Sequence, residues 1–216
     1  DDERNKQDYI VERAESKTVA PKNNKDAENW GINNLWTALK LPWSRWFEIH
    51  NIDQVNGVFR RRENPDFRGM KVGEYMKQLG QLPCPVYMQK PWPEVPNAVG
   101  YPLQEILSAF GNYFTNTVSY MIALAIYEKF EEILIYGVDM AVLTEYYAQR
   151  PSCEFFIGWA LGMGIKVYIP PEADLCKTRF LYGFQEKEIT HFDRKINDIV
   201  KGMNHRLTDA ENQERD

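Results

Sequence analysis

The chain has 216 residues, 44% of them hydrophobic and 26% charged, which suits one globular domain with a sizeable core and excludes a disordered, collagenous or disulfide-scaffold chain. Its net charge is −5 and no expected helix carries a basic stripe, so the phosphate-tracking groove of a DNA or RNA binder is not expected. The longest apolar runs, Met121 to Tyr127 and Ile133 to Tyr136, fall far short of a membrane span, and the charged start Asp1 to Asp8 is unlike a secretory leader, so a cytoplasmic location is expected.

Taken in chain order, short apolar runs alternate with longer segments of helical period, the pattern of a mostly parallel sheet with crossover helices. Strands are expected at Asp8 to Val11, Trp30 to Asn33, Arg45 to His50, Pro85 to Gln89, Glu132 to Val138 and Lys166 to Ile169. Helices are expected at Phe67 to Leu79, Pro102 to Phe110 and Asn116 to Lys129, and at Pro151 to Leu161, where a proline opens the first turn. The stretch Lys90 to Pro102 holds Pro91, Pro93, Pro96 and Pro102, each of which removes a backbone donor, so it reads as an ordered loop without regular structure. The expected fold is therefore α/β and Rossmann-like, about six strands with helices on both faces, over residues 8–184.

Residues 185–207 change character. Ile189, Phe192, Ile196, Ile199, Met203 and Leu207 recur at three and four residues among charges, an amphipathic helix expected over Glu186 to Leu207. Its stripe either packs back on the domain or joins two subunits of a homo-oligomer, since the spacing also satisfies heptad positions. Residues 208–216 are expected to form a polar tail beyond that helix. Cys84, Cys153 and Cys176 are far apart and match no metal-ligand or disulfide spacing, so they read as reduced and structural.

Open α/β sheets bind ligands beyond the carboxyl ends of their strands. There the sequence collects Glu12 to Ser16, Asn33 and Asn34, Glu48, His50 and Asn51, then Asp139, Glu145, Tyr147 and Arg150, and after the last strand Glu172 and Asp174. Each alone has an ordinary explanation as a turn or cap residue; their convergence from five strand ends points to a site. Alternation along Arg45 to His50 puts Trp46, Glu48 and His50 on one face. An imidazole pKa near 6.5 suits proton transfer at neutrality, and the competing reading is a strand-end histidine bonded to a backbone carbonyl.

The blocks Tyr9 to Ser16, Trp30 to Trp36 (WGINNLW), Phe114 to Met140 and Gly164 to Leu175 (GIKVYIPPEADL) resemble the bacterial lipooligosaccharide sialyltransferases, which use a CMP-sugar donor. The chain also resembles a group of phage-encoded Rossmann-like proteins from Tyr9 to Phe184, and more distantly the archaeal 6-hydroxymethylpterin pyrophosphokinases. The resemblance implies a nucleotide-binding, glycosyltransferase-like protein. It places nucleotide contacts on Arg13, Ser16 and Asn33 with Asn34 beside it, donor contacts on Asn116 and Thr117 at a helix start, the family's strand-end aspartate on Asp139, and a phosphate contact on Tyr147 with Arg150 close by.

Two departures qualify it. Where the family has Gly-Asn-Gly-Pro-Ser, this chain reads Glu12-Arg13-Ala14-Glu15-Ser16, losing both glycines that admit a phosphate. The family's catalytic histidine has no counterpart over Tyr147 to Cys153, which leaves His50 as the expected general base with Glu48 and Asp139 as further catalytic candidates. Magnesium held by Asp139, Glu145 and Glu48 is a further expectation. The other classes consistent with the residues are a non-catalytic ligand-binding or assembly module of phage origin and a magnesium-dependent pterin or nucleotide pyrophosphokinase.

Overall fold

The computed structural model describes residues 27–55, 58–61, 66–67, 70–140, 147–178, 181–185 and 191–213. The chain divides into two compact units, Asp1–Cys176 and Lys177–Asp216. Among the described residues no helix is long and apolar enough to cross a membrane.

The first unit is mixed α/β around a parallel sheet. Four strands, β1 (Trp30–Ile32), β2 (Arg45–Glu48), β7 (Val86–Met88) and β8 (Ala98–Gly100), lie in the order β1-β2-β7-β8 with every pairing parallel. Trp46 pairs with Gly31 on one side and Val86 on the other. Between β2 and β7 the chain makes two antiparallel pairs, β3 (Ile52–Val55) with β4 (Val58–Arg61) and β5 (Asp66–Phe67) with β6 (Met70–Lys71), and then helix α1 (Val72–Leu79). After β8 come α2 (Leu103–Phe110), α3 (Thr117–Tyr127), β9 (Glu132–Leu134), α4 (Arg150–Gly162) and β10 (Lys166–Tyr168), with β9 and β10 paired in parallel. The second unit contains α5 (His191–Gln213).

Two hydrophobic clusters cover the two faces of the sheet. Trp46, Val86 and Met88 pack with Val72, Tyr75, Met76 and Leu79 of α1, the three- and four-residue spacing that gives a helix one apolar side. Phe47, one residue on and so on the opposite face, packs with Ile106, Ile122, Ile126, Phe156 and Ile157 of α2, α3 and α4. β2 is thus buried on both sides, as expected of a central parallel strand.

At the amino end of β2, Arg45 seals the sheet. Its guanidinium pairs with Glu28 at 2.7 Å and Glu128 at 2.6 Å and lies 4.8 Å from the ring centre of Trp30, a cation–π contact. Burial opposes its charge, yet the hydrogen bonds to Glu28 and Glu128 outweigh that and hold its pKa above the ordinary value. Because Glu128 follows the last residue of α3, this pairing sets the helix's carboxyl end beside the amino end of β2. The Tyr101 hydroxyl, just beyond β8, donates to the Tyr120 carbonyl in the first turn at 2.9 Å, so α3 runs antiparallel to the strands with its amino end at their carboxyl edge.

Several expectations need correction. Lys90 to Pro102 contains a strand, β8, because its prolines at 91, 93 and 96 all precede Ala98 and leave the donors of residues 98–100 intact. Phe67 belongs to β5, so the helix expected from there begins at Val72. The strand expected over Glu132 to Val138 stops at Leu134, where a left-handed Gly137 (φ 69°) and Met140 (φ 52°) mark a turn. The expected strand Asp8 to Val11 and the start of the terminal helix at Glu186 lie outside the described residues.

Candidate functional site

The carboxyl end of β2 carries an acid–base cluster. Glu48, the last residue of the strand, is fully buried on the α1 side with Trp46. A carboxylate withdrawn from water must be supplied with donors. The Tyr75 hydroxyl, from α1, donates to Glu48 Oε2; the His50 ring at Nδ1 contacts Oε1; and the His50 backbone N–H donates to Oε1 at 3.3 Å. The His50 side chain keeps 24% of its surface exposed, so the imidazole joins the buried carboxyl group to solvent. In a neutral ring whose Nδ1 donates to the carboxylate, Nε2 is the acceptor.

An aromatic wall holds this cluster. Trp36, in the 3₁₀ turn Leu35–Thr37 after β1, stacks on Tyr75 at 5.3 Å and meets Trp46 edge-on at 5.2 Å. Trp46 Nε1 in turn donates to the Asn33 carbonyl at 3.0 Å. Asn33 follows β1 in a left-handed conformation (φ 53°), and its side-chain oxygen is buried with no hydrogen-bond partner among the described residues. Asn34 accepts the Thr37 hydroxyl at its carbonyl, 2.9 Å, and its side chain makes no cap bond.

A second polar cluster joins the amino ends of α3 and α4. Asn116 caps α3, its Oδ1 accepting the Ser119 N–H at 2.9 Å. Its Nδ2 donates to the Gln149 carbonyl at 2.9 Å and to Ser152 Oγ at 3.2 Å. Both ends of the amide therefore serve the fold, which explains the residue without a ligand. Thr117 is the first residue of α3 and half-buried. Arg150 is buried, with Nε donating to Glu154 Oε1 at 2.6 Å. Tyr147 is 76% exposed. Asp139 lies five residues beyond β9, and its Oδ1 accepts the Asp174 N–H at 2.9 Å, tying together the loops that follow β9 and β10. Arg13, Ser16 and Glu145 lie outside the described residues.

Burial pushes the Cys153 thiol up to about 12, partly offset by its hydrogen bond to Asn116; a thiol so strongly protonated is not a nucleophile at neutral pH. Among the described residues no three His, Cys, Asp or Glu side chains group to hold a metal ion. Glu48, one of the expected magnesium ligands, gives its oxygens to Tyr75 and His50.

Sequence reasoning found Glu48 and His50 by alternation and position but missed Tyr75. In the sequence Tyr75 belongs to an ordinary apolar helix stripe, and only the packing of α1 on β2 brings its hydroxyl to the carboxylate. Comparison of the chain with protein-family models, curated proteins and solved structures gives no match.

Proposed function

We propose that the protein is a nucleotide-binding transferase of Rossmann-like architecture that takes a group from a nucleotide-activated donor, a CMP-sugar-like molecule being the first choice, and acts in the cytoplasm. The observation that carries this reading is the contact between buried Glu48 and part-exposed His50 at the carboxyl end of a parallel strand, the edge where such sheets bind ligands. In the reaction, His50 Nε2 takes the proton of an acceptor hydroxyl. The oxygen bonds to the donor's reacting carbon, and the nucleotide leaves with the electron pair of the broken bond. Glu48 stabilises the imidazolium that forms.

Three features support the donor class. The amino end of α3 lies at this edge, where free N–H groups favour an anion. Asn33 offers a buried acceptor oxygen that a ligand amino group would satisfy. Among the residues that carry the resemblance to CMP-sugar enzymes, Asn33 directly follows the carboxyl end of β1. Three free cysteines suit a reducing compartment.

The test is a thermal-shift screen of CMP, UMP, GMP and AMP derivatives with and without Mg²⁺. A ligand at a hundred times its Kd stabilises by about 2.7 kcal/mol. With the best ligand identified, His50→Asn should lower turnover by roughly 10² to 10⁴ and leave nucleotide affinity nearly unchanged. A screen in which no nucleotide raises the melting temperature removes this reading.

One observation favours a second reading, an assembly module that pairs α5 with α5 of a second copy. Ile196, Ile199, Met203 and Leu207, one stripe at three- and four-residue spacing, are 43–62% exposed. Sedimentation of the full chain should then give a dimer that Ile199→Lys with Met203→Lys splits. A monomeric parent protein removes it.

A further inference from the structure

We infer that Tyr75 is a positioning residue for the His50 base, acting through Glu48; the inference rests on the proton-transfer reading of that site. Both oxygens of Glu48 accept from this site. Tyr75 holds Oε2, while Oε1 takes the Nδ1 and backbone N–H of His50. A carboxylate gripped at one oxygen cannot turn about its last bond, so the other oxygen stays aimed at the ring. The grip also selects a protonation state. A phenol donating to Oε2 favours the carboxylate over the acid, and a carboxylate only accepts. A neutral His50 must then carry its proton on Nδ1 and present Nε2 as a lone pair, the reverse of the tautomer a free histidine prefers. Loss of the Tyr75 hydroxyl allows Glu48 to take up a proton, donate to Nδ1 and leave Nε2 protonated and useless as a base.

Tyr75 is itself immobile. It is 1% exposed, it lies on the stripe Val72, Tyr75, Met76, Leu79 that anchors α1, and the indole of Trp36 stacks on its ring. Its proton stays on the phenol throughout; the proton that moves goes from acceptor hydroxyl to His50 Nε2. A tyrosine present only to fill the core would keep its packing as phenylalanine and have no effect on the imidazole.

The experiment is nitrogen-15 NMR of the histidine side chains in the full chain, with the His50 signals assigned by their loss in His50→Asn. The expected result is a neutral His50 protonated at Nδ1 with an unprotonated Nε2, and in Tyr75→Phe a shift of most of the population to the Nε2-protonated form. An Nε2-protonated His50 in the unsubstituted protein, or an unchanged tautomer in folded Tyr75→Phe, overturns the inference. If Tyr75→Phe does not fold, the unsubstituted protein decides. A solvent-protected phenolic proton with a nuclear Overhauser effect to the His50 ring supports the assignment, and its absence overturns it. No arm uses a nucleotide, so a failed ligand screen removes the transferase and leaves this result standing, while a wrong tautomer removes Tyr75's role and leaves nucleotide binding untouched.

Discussion

Gly31 has no side chain because Trp46 occupies that space. A β-carbon at this position would lie 2.0 Å from Trp46 Cζ3 and 2.3 Å from Cε3, well inside contact distance, and the indole is wedged between Trp36 and Trp43 with no free direction of retreat. Gly31→Ala should therefore destabilise the protein by about 1–3 kcal/mol or more, the usual cost of overpacking. Urea denaturation checks it, and an unchanged midpoint would show that Trp46 yields. The residue scale is also where reading the sequence worked unevenly. Glu48 and His50 were legible because a strand alternates its faces, a rule that needs no tertiary information. Tyr75 and Gly31 were not, since each owes its role to one neighbour far away in the chain: a carboxylate 27 residues back for Tyr75, an indole 15 residues on for Gly31.

Among elements, the helices were read most closely. α3 and α4 begin and end within two residues of their expected bounds because a capping Asn116 and an early Pro151 punctuate them. Five of the expected strands coincide with β1, β2, β7, β9 and β10, each shorter than its apolar run, since ladder pairing ends before hydrophobicity does. The insertion between β2 and β7 was not legible: β3 to β6 are two- to four-residue pieces, too short for periodicity to register. The capping residue yields a further prediction. Removing an N-cap side chain costs typically about 1 kcal/mol, but Asn116 also spans from α3 to Gln149 and Ser152 at the start of α4. Asn116→Ala should therefore cost more than Asn116→Asp, which keeps the cap acceptor and loses only the bridging donor. Equal losses of stability in thermal melts would deny the cap any weight, and an Asn116→Asp protein as stable as the parent would deny it to the bridge.

For the first unit as a whole, the sequence conveyed the alternation of strands and helices, while the division of the interior into two clusters required the fold. β2 stands at that division. Trp46 belongs to one cluster and Phe47 to the other, and the Trp46 N–H bonds to the Pro85 carbonyl while the Phe47 carbonyl accepts from Asn33. The strand cannot detach from one cluster and keep its place in the other, because adjacent residues point in opposite directions. A partial opening that frees only the α1 side would strip the indole from its partners and pull the phenyl ring of Phe47 with it. The two clusters should consequently behave as one cooperative unit. Native-state hydrogen exchange should find the Trp46 amide among the slowest, released only by global unfolding, and Met76→Ala and Ile157→Ala, in opposite clusters, should lower its protection by the same amount as they lower total stability. Amide exchange at Trp46 that responds to one substitution and ignores the other would mean that each face of the sheet holds its own folding unit, with the strand between them a seam and not a keystone.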